Sequence, residues 1–216
     1  MRPLRIFLAD DHALIRVGLR KILESQRDWQ VVGEAGDGRT CVDEVLRLRP
    51  DVAVIDVSLP RLNGIDATAR ITAEAPDVRV LIVSMHLNEV YVTRALDAGA
   101  RGYLLKDSVD ADVIAGVAAV AAGRTFFSPT ITKLLQEAPG NGGSDSEQVG
   151  RYASLSARER EVFQLIAEGH SNKEIATLLS VGVTTVETHR AHILQKLDVH
   201  STRELVLYAV RCGIIS

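Results

Sequence analysis

The sequence predicts two domains: an α/β doubly wound five-stranded parallel sheet, then an all-α four-helix domain holding a helix-turn-helix. Three observations carry this. Five short apolar runs recur in the first part, separated by longer segments of helical period. A glycine-rich stretch, "PGNGGSDSEQVG" at 139–150, cannot bury surface and reads as flexible. From Leu155 onward the text is helical and punctuated by Ser-x-x-Glu signals. The boundaries drawn are 1–122 for the first domain, 123–150 for a linker with a short helix near 129–137, and 151–216 for the second domain.

The strands are "RIFLA" (5–9), "QVVGEA" (30–35), "VAVI" (52–55), "RVLIVS" (79–84) and "GYLL" (102–105). Runs that are apolar without alternation suit parallel strands covered on both faces. Between them, Leu14, Gly18, Leu19, Ile22 and Leu23 share one helix face, and Val113, Ile114, Val117 and Val120 another. Five strand–helix alternations argue for a doubly wound sheet.

In the second part, "SARE" (156–159), "SNKE" (171–174) and "STRE" (201–204) each read as a capping box, starting helices after Ser156, Ser171 and Ser201. Gly169 ends the first of these, with positive φ. A further helix starts near Gly182 and runs to about Leu197. Two helices joined by "SVGV" describe a helix-turn-helix.

The 216 residues are 46% hydrophobic with a net charge of −3, and no stretch approaches the ~20 apolar residues of a membrane span. Cys41 and Cys212 lie far apart without C-x-x-C or Cys/His spacing, which argues against a disulfide framework or zinc site and suits a reducing cytoplasm. Residues 151–216 carry eight Lys/Arg against seven Asp/Glu, with four of the six histidines, so this part is mildly basic.

Ligands of such sheets bind beyond the carboxyl ends of the strands. Strand one ends in Asp10 and Asp11, strand three in Asp56, strand four in Ser84, and strand five runs into Lys106. Clustered carboxylates hold a hard divalent cation, and Mg²⁺ prefers one or two carboxylates plus water. A lysine beside it completes a pocket for a phosphoryl group, with Asp56 as nucleophile. Pro60 and Asn63-Gly64 suit a turn before the third helix.

"ADDHALIRVGL", "IDVSLPRLNGIDATARI", "VSM" and "GYLLKD" together resemble the receiver domain of two-component response regulators, a flavodoxin-like fold, over residues 4 to about 122. The resemblance implies that Asp56 is the phosphoacceptor. It implies that Asp11, Asp56 and the backbone carbonyl of Ser58 ligate Mg²⁺, with Asp10 helping through water. Ser84 becomes the switch hydroxyl, Tyr103 its coupled aromatic and Lys106 the phosphoryl-binding ammonium. Departures from the pattern are Asp107, where many receivers have proline, and Met85, where many have alanine or glycine.

Residues 155–210 resemble the LuxR-type DNA-binding domain, and the combination is that of the NarL/FixJ subfamily. Thr184 and Thr185, beside free helix amides, suit phosphate oxygens. Glu187, Thr188 and Ala191 share a face that can meet base edges. Asn172, Lys173, His189, Arg190 and Lys196 are expected toward the DNA as well, the basic ones at its backbone. Gly182 replaces the usual serine before this helix. The resemblance makes the final helix a dimer contact, with Leu205, Val206, Tyr208, Ala209 and Cys212 as candidates. A sensor histidine kinase, promoter DNA and a second copy are the expected partners, in the cytoplasm.

Enzyme classes fit the residues less well. A Mg²⁺-dependent aspartyl-phosphate phosphatase of the haloacid-dehalogenase kind needs a second acid two residues after Asp56, where Ser58 stands. A Rossmann oxidoreductase needs G-x-G-x-x-G where "ADDHAL" stands. A protein-interaction module without DNA binding is the third alternative.

Overall fold

The structure is a computed structural model that describes residues 2–137, 151–212 and 214–215. The stretch expected to be flexible, 139–150, therefore lies outside the described residues. The chain divides into two compact units, Met1–Pro139 and Gly140–Ser216.

The first unit runs β1 (Leu4–Ala9), α1 (Ala13–Glu24), β2 (Trp29–Ala35), α2 (Gly38–Leu48), β3 (Val52–Asp56), α3 (Gly64–Glu74), β4 (Arg79–Ser84), α4 (Glu89–Asp97), β5 (Gly102–Leu105), α5 (Val109–Ala121), β6 (Phe126–Phe127) and α6 (Pro129–Glu137). All strands are parallel, in the order β2-β1-β3-β4-β5-β6. Alternate residues feed two cores. Ile6 and Leu8 of β1 join Leu19, Leu23, Val113 and Val117 of α1 and α5. Phe7 and Ala9 join Val45, Ile71 and Val92 from α2, α3 and α4 on the opposite face. Winding reverses between β1 and β3, which opens a crevice at their carboxyl ends.

The structure corrects the sequence reading in two places. The sheet has six strands, because Phe126–Phe127 pairs with Gly102–Tyr103 of β5. Two residues are too few for any hydrophobic period to register. Residues 126–137 belong to the first unit rather than to a linker, since Ile131 is fully buried in its core beside Leu134 and Leu135.

The second unit holds α7 (Ala157–Ala167), α8 (Asn172–Leu179), α9 (Val183–Leu197) and α10 (Thr202–Arg211). Ser156 and Ser171 form complete capping boxes with Glu159 and Glu174. Ser201 accepts from the Glu204 amide, and Gly169 has φ +91°. Phe163 lies at the centre of the core, edge-on to Tyr152 and Tyr208 at 5.6 and 6.1 Å between ring centroids. No described helix is long and apolar enough to cross a membrane.

One glycine bears directly on the crevice. A Cβ on Gly64 would lie 1.9 Å from the carbonyl oxygen of Asp56. Neither backbone can yield without moving β3 or the start of α3. Gly64→Ala is therefore expected to cost at least about 2 kcal/mol in urea unfolding, an overpacking penalty.

Candidate functional site

The parallel register brings the strand ends to one rim. Ala9 faces Ile55, Asp56 faces Val83, and Ser84 faces Leu105. Asp10 follows β1 and Lys106 follows β5, so their side chains converge between. Lys106 Nζ lies 2.7 Å from Asp10 Oδ2 and 2.8 Å from Asp56 Oδ2, all three side chains being almost wholly buried. Asp10 Oδ1 is used locally, accepting from the His12 amide at 2.8 Å.

Two carboxylates thus compete for one ammonium. Burial pushes the Asp56 pKa up to about 6, against the pull of Lys106 and with a further push from Asp10. Burial alone would pull Lys106 down, but Asp56 and Asp10 outweigh it and the pKa rises. The ammonium is charged and the pocket is short of positive charge at neutral pH.

Asp11 stands at the mouth, more exposed, with His12 Nδ1 2.6 Å from its Oδ1. Asp10, Asp11 and His12 each offer a ligand atom within 4.8 Å of the others. Three carboxylates from Asp10, Asp11 and Asp56 at one rim, in a pocket with too little positive charge, form a hard-oxygen donor set that fits Mg²⁺. The Ser58 amide donates to the Asp56 carboxylate. Asn63, buried, caps α3 by accepting from the Ile65 and Asp66 amides, which fixes the loop after Asp56.

Ser84 is fully buried, and its Oγ accepts from the His86 amide at 3.0 Å. Tyr103 is fully buried too, and its hydroxyl donates to the His86 carbonyl at 3.0 Å. The aromatic that the resemblance couples to Ser84 is therefore enclosed in the core. Sequence reasoning missed His12 and His86. The first was visible as "DDH"; the second meets Ser58 28 residues away, with no sequence signal.

In the second unit, α9 presents Thr184, Thr185, Glu187, Thr188 and Ala191 outward, and Lys173 of α8 is exposed. Gly182 caps α9 without a side-chain bond. His189 is half-buried. Three residues expected at DNA are tied within the domain. Lys196 Nζ lies 2.7 Å from Glu159 Oε2, and Arg190 bridges Asn172 and Thr202. These pairs join residues 12 to 37 positions apart, beyond the reach of helical spacing.

The expected dimer surface needs correction. Leu205, Tyr208, Ala209 and Cys212 are buried in their own domain core, because that face of α10 packs on α7; Val206 is half-buried. The outward face instead carries Leu207 and Val210, 48% and 49% exposed.

A buried Asp-Asp-Lys rim on a doubly wound sheet, joined to a helix-turn-helix with a polar outer face, defines a phosphoryl-receiving switch coupled to a DNA-binding domain. Comparison with known proteins agrees. Residues 6–118 match the response regulator receiver domain, and residues 153–209 the luxR family of bacterial regulatory proteins. The oxygen regulatory protein NreC of Staphylococcus carnosus is 41% identical over 211 residues, covering 96% of this chain and 97% of that one. A LuxR-family response regulator from Aurantimonas sp. SI85-9A1 is 36% identical with TM-score 0.61, over 62% of this chain and 96% of that one. The response regulator RcsB, solved in complex with DNA, is 26% identical with TM-score 0.59 over the whole of both chains. The chain belongs to the two-component response regulators that join a receiver to a LuxR-type DNA-binding domain.

The pocket has a measurable signature. The pKa of Asp56 is raised on folding, so its stabilising contribution is full below its unfolded value near 4 and is lost as pH rises through about 6. Asp56→Asn is accordingly expected to stabilise the protein by roughly 1–3 kcal/mol at pH 8, with the difference shrinking toward pH 4. Urea titrations at the two pH values measure it.

Proposed function

We propose that Asp56 accepts a phosphoryl group from a sensor histidine kinase, and that the acyl phosphate shifts the chain toward a dimer bound to promoter DNA. The observation that carries this is the single ammonium of Lys106 bridging two buried carboxylates. Such a cluster gains when oxygens of a transferred phosphoryl group take up Lys106 and a metal takes up the carboxylates.

A carboxylate oxygen of Asp56 attacks phosphorus, and the bond from phosphorus to the donor breaks with its electron pair leaving on the donor. Lys106 holds one phosphoryl oxygen and the Ser84 hydroxyl donates to another. Asp11, Asp56 and the Ser58 carbonyl would hold Mg²⁺, with Asp10 assisting through water; when bound, the ion offsets charge on the transferring oxygens. Turnover is limited to self-phosphorylation and slow loss from Asp56, in keeping with a regulator rather than an enzyme.

On DNA, Thr184 and Thr185 face phosphates, Glu187, Thr188 and Ala191 face base edges, and Lys173 meets the backbone. RcsB has been solved in complex with DNA, which supports DNA as a partner of this chain. Leu207 and Val210 of α10 supply an apolar dimer contact, placing two recognition helices about one DNA turn, ~34 Å, apart. A regulator with these partners works in the cytoplasm, which is the location we propose.

Incubation with a small phosphodonor and Mg²⁺ is expected to add one base-labile phosphoryl group, absent from Asp56→Asn and strongly reduced in Asp11→Ala. Mass spectrometry reads both, and full phosphorylation of Asp56→Asn would overturn the assignment. Lys173→Ala is expected to weaken binding to all sequences alike and reduce the slope of log K against log salt by about one for each bound copy. Thr188→Ala is expected to change preference at particular base pairs, in gel shifts over salt and operator variants.

A further inference from the structure

The amino ends of the strands form a second edge, away from Asp56, whose side chains take no part in the phosphoryl pocket. In sheet order this edge begins with Trp29 of β2 and passes Leu4 of β1 and Asp51 before β3. It ends with Arg79 of β4 and Arg101 before β5. Backbone bonds tie it together: the Asp51 amide donates to the Arg5 carbonyl at 2.8 Å, the Arg79 amide to the Asp51 carbonyl at 3.2 Å, and the Arg101 amide to the Val80 carbonyl at 2.8 Å. The length of β3, from Val52 to Asp56, separates this edge from the phosphoryl pocket by ~13 Å.

Two cavities open along it. One, of about 400 Å³, is lined by half-buried Trp29, by Asp28 and by Ala118 and Ala121 of α5. The other, of about 630 Å³, is lined by Arg79, Arg101, Asp77 and the turns at Gly99 and Gly123. Arg2 and Asp51 line both. That pair is closed on itself, Arg2 Nη2 lying 2.6 Å from Asp51 Oδ1 while Asp51 Oδ2 accepts from the Arg5 amide at 2.9 Å. Arg79 and Arg101, by contrast, have no ion pair or side-chain hydrogen bond among the described residues. With Asp77 counted, their wall keeps an excess of one positive charge. Guanidinium groups stay charged at neutral pH and present forked donors that fit phosphate oxygens.

We propose that this edge is a binding site for a nucleoside polyphosphate, with the base stacked on Trp29 and the phosphate chain held by Arg79 and Arg101. The aromatic and cationic ends lie three strand spacings apart, from β2 to β4, ~14 Å. A bare anion fills one end and an uncharged heterocycle the other, whereas a base that carries a phosphate chain uses both. Stacking on an aromatic ring and pairing with guanidinium add separately to affinity. Asp28, beside Trp29, is an acceptor for an amino group of the base. The proposal does not depend on Asp56 accepting a phosphoryl group. A ligand here touches α5 and the turn after α4 from the end opposite Asp56, and gives the receiver a second input set by nucleotide level rather than by a kinase.

The full chain holds one tryptophan, so the fluorescence of Trp29 reads the site directly. Wild type is titrated with the mono- and triphosphates of adenosine and guanosine and with inorganic tripolyphosphate, by fluorescence and by calorimetry. The better triphosphate is expected to quench Trp29 saturably and to bind more tightly than its monophosphate. It is also expected to bind roughly tenfold more tightly than tripolyphosphate, the difference made by one stacked base. Arg79→Gln and Arg101→Gln are each expected to weaken the triphosphate roughly tenfold, as loss of one charge-assisted contact does. In calorimetry Trp29→Ala is expected to lose roughly tenfold, while Trp29→Phe, which keeps a flat ring, stays within about threefold of wild type.

No saturable quench at millimolar triphosphate would overturn the site. So would tripolyphosphate binding as tightly as the nucleotide, which leaves only a patch of positive charge, or equal affinity in wild type and both arginine variants. Lys173→Ala tests for nucleotide held by the DNA-binding domain instead. Binding lost in that variant and kept in Arg79→Gln puts the ligand in the second unit and ends the proposal. Should Trp29→Ala not fold, the arginine variants and Trp29→Phe still carry the comparison.

Discussion

The ammonium of Lys106, shared between Asp10 and Asp56, is the contact on which the first domain depends. Removing Lys106 would leave two buried carboxylates without a counter-charge, a loss that typically costs about 3–5 kcal/mol, whereas removing one acid leaves the ammonium paired with the other. Here the arrangement is incomplete by one charge: two acids and one base, with the Asp56 carboxyl held near pKa 6 by burial. A site so charged is poised for a further cation and for a group that redistributes its hydrogen bonds. The sheet order makes this possible, since β1, β3 and β5 deliver the three side chains to one rim without any loop having to reach.

Behind the rim, the two hydroxyls able to report a change at Asp56 both end on the backbone of one residue. Ser84 accepts from the amide of His86 and Tyr103 donates to its carbonyl. Tyr103 is fully enclosed, so a signal here does not require an aromatic ring to swing in from solvent. Movement of the peptide at His86 would suffice to disturb both hydroxyls at once, and α4 with them through Tyr91. The response of the β4–α4 loop is therefore expected to be concerted.

Much of this is legible in the sequence, for reasons that differ by level. Strand ends at Asp10, Asp56, Ser84 and Lys106 can be read because unbroken apolar runs mark buried parallel strands. Ser156, Ser171 and Ser201 announce three helices through local capping chemistry, which needs only four residues to specify. Features that stay hidden are non-local or too short. The two-residue β6 has no period to detect, and the helix expected near 129–137 is present as α6, but nothing in its sequence says that it packs on the first unit. Helical spacing turns Lys196 outward because nothing in its own helix reveals Glu159 on α7. The buried and exposed faces of α10 are hard to separate for a related reason. Leu205 and Leu207 are the same residue type two positions apart, and only the packing of α7 decides which one is covered.

The start of α9 differs from its neighbours in a way that reaches beyond geometry. Helices α7, α8 and α10 each begin with a serine that closes the first turn, whereas α9 begins at Gly182 with no side-chain acceptor. The Thr185 amide turns back to the Gly182 carbonyl at 3.1 Å, no side chain of the cap accepts from the amides before it, and the glycine adds backbone entropy that a serine would not. An anionic oxygen docking there supplies the missing acceptor. Under the proposed function, the nucleic acid would act as a removable cap, and part of the energy of recognition would go into the first turn of the helix that does the reading.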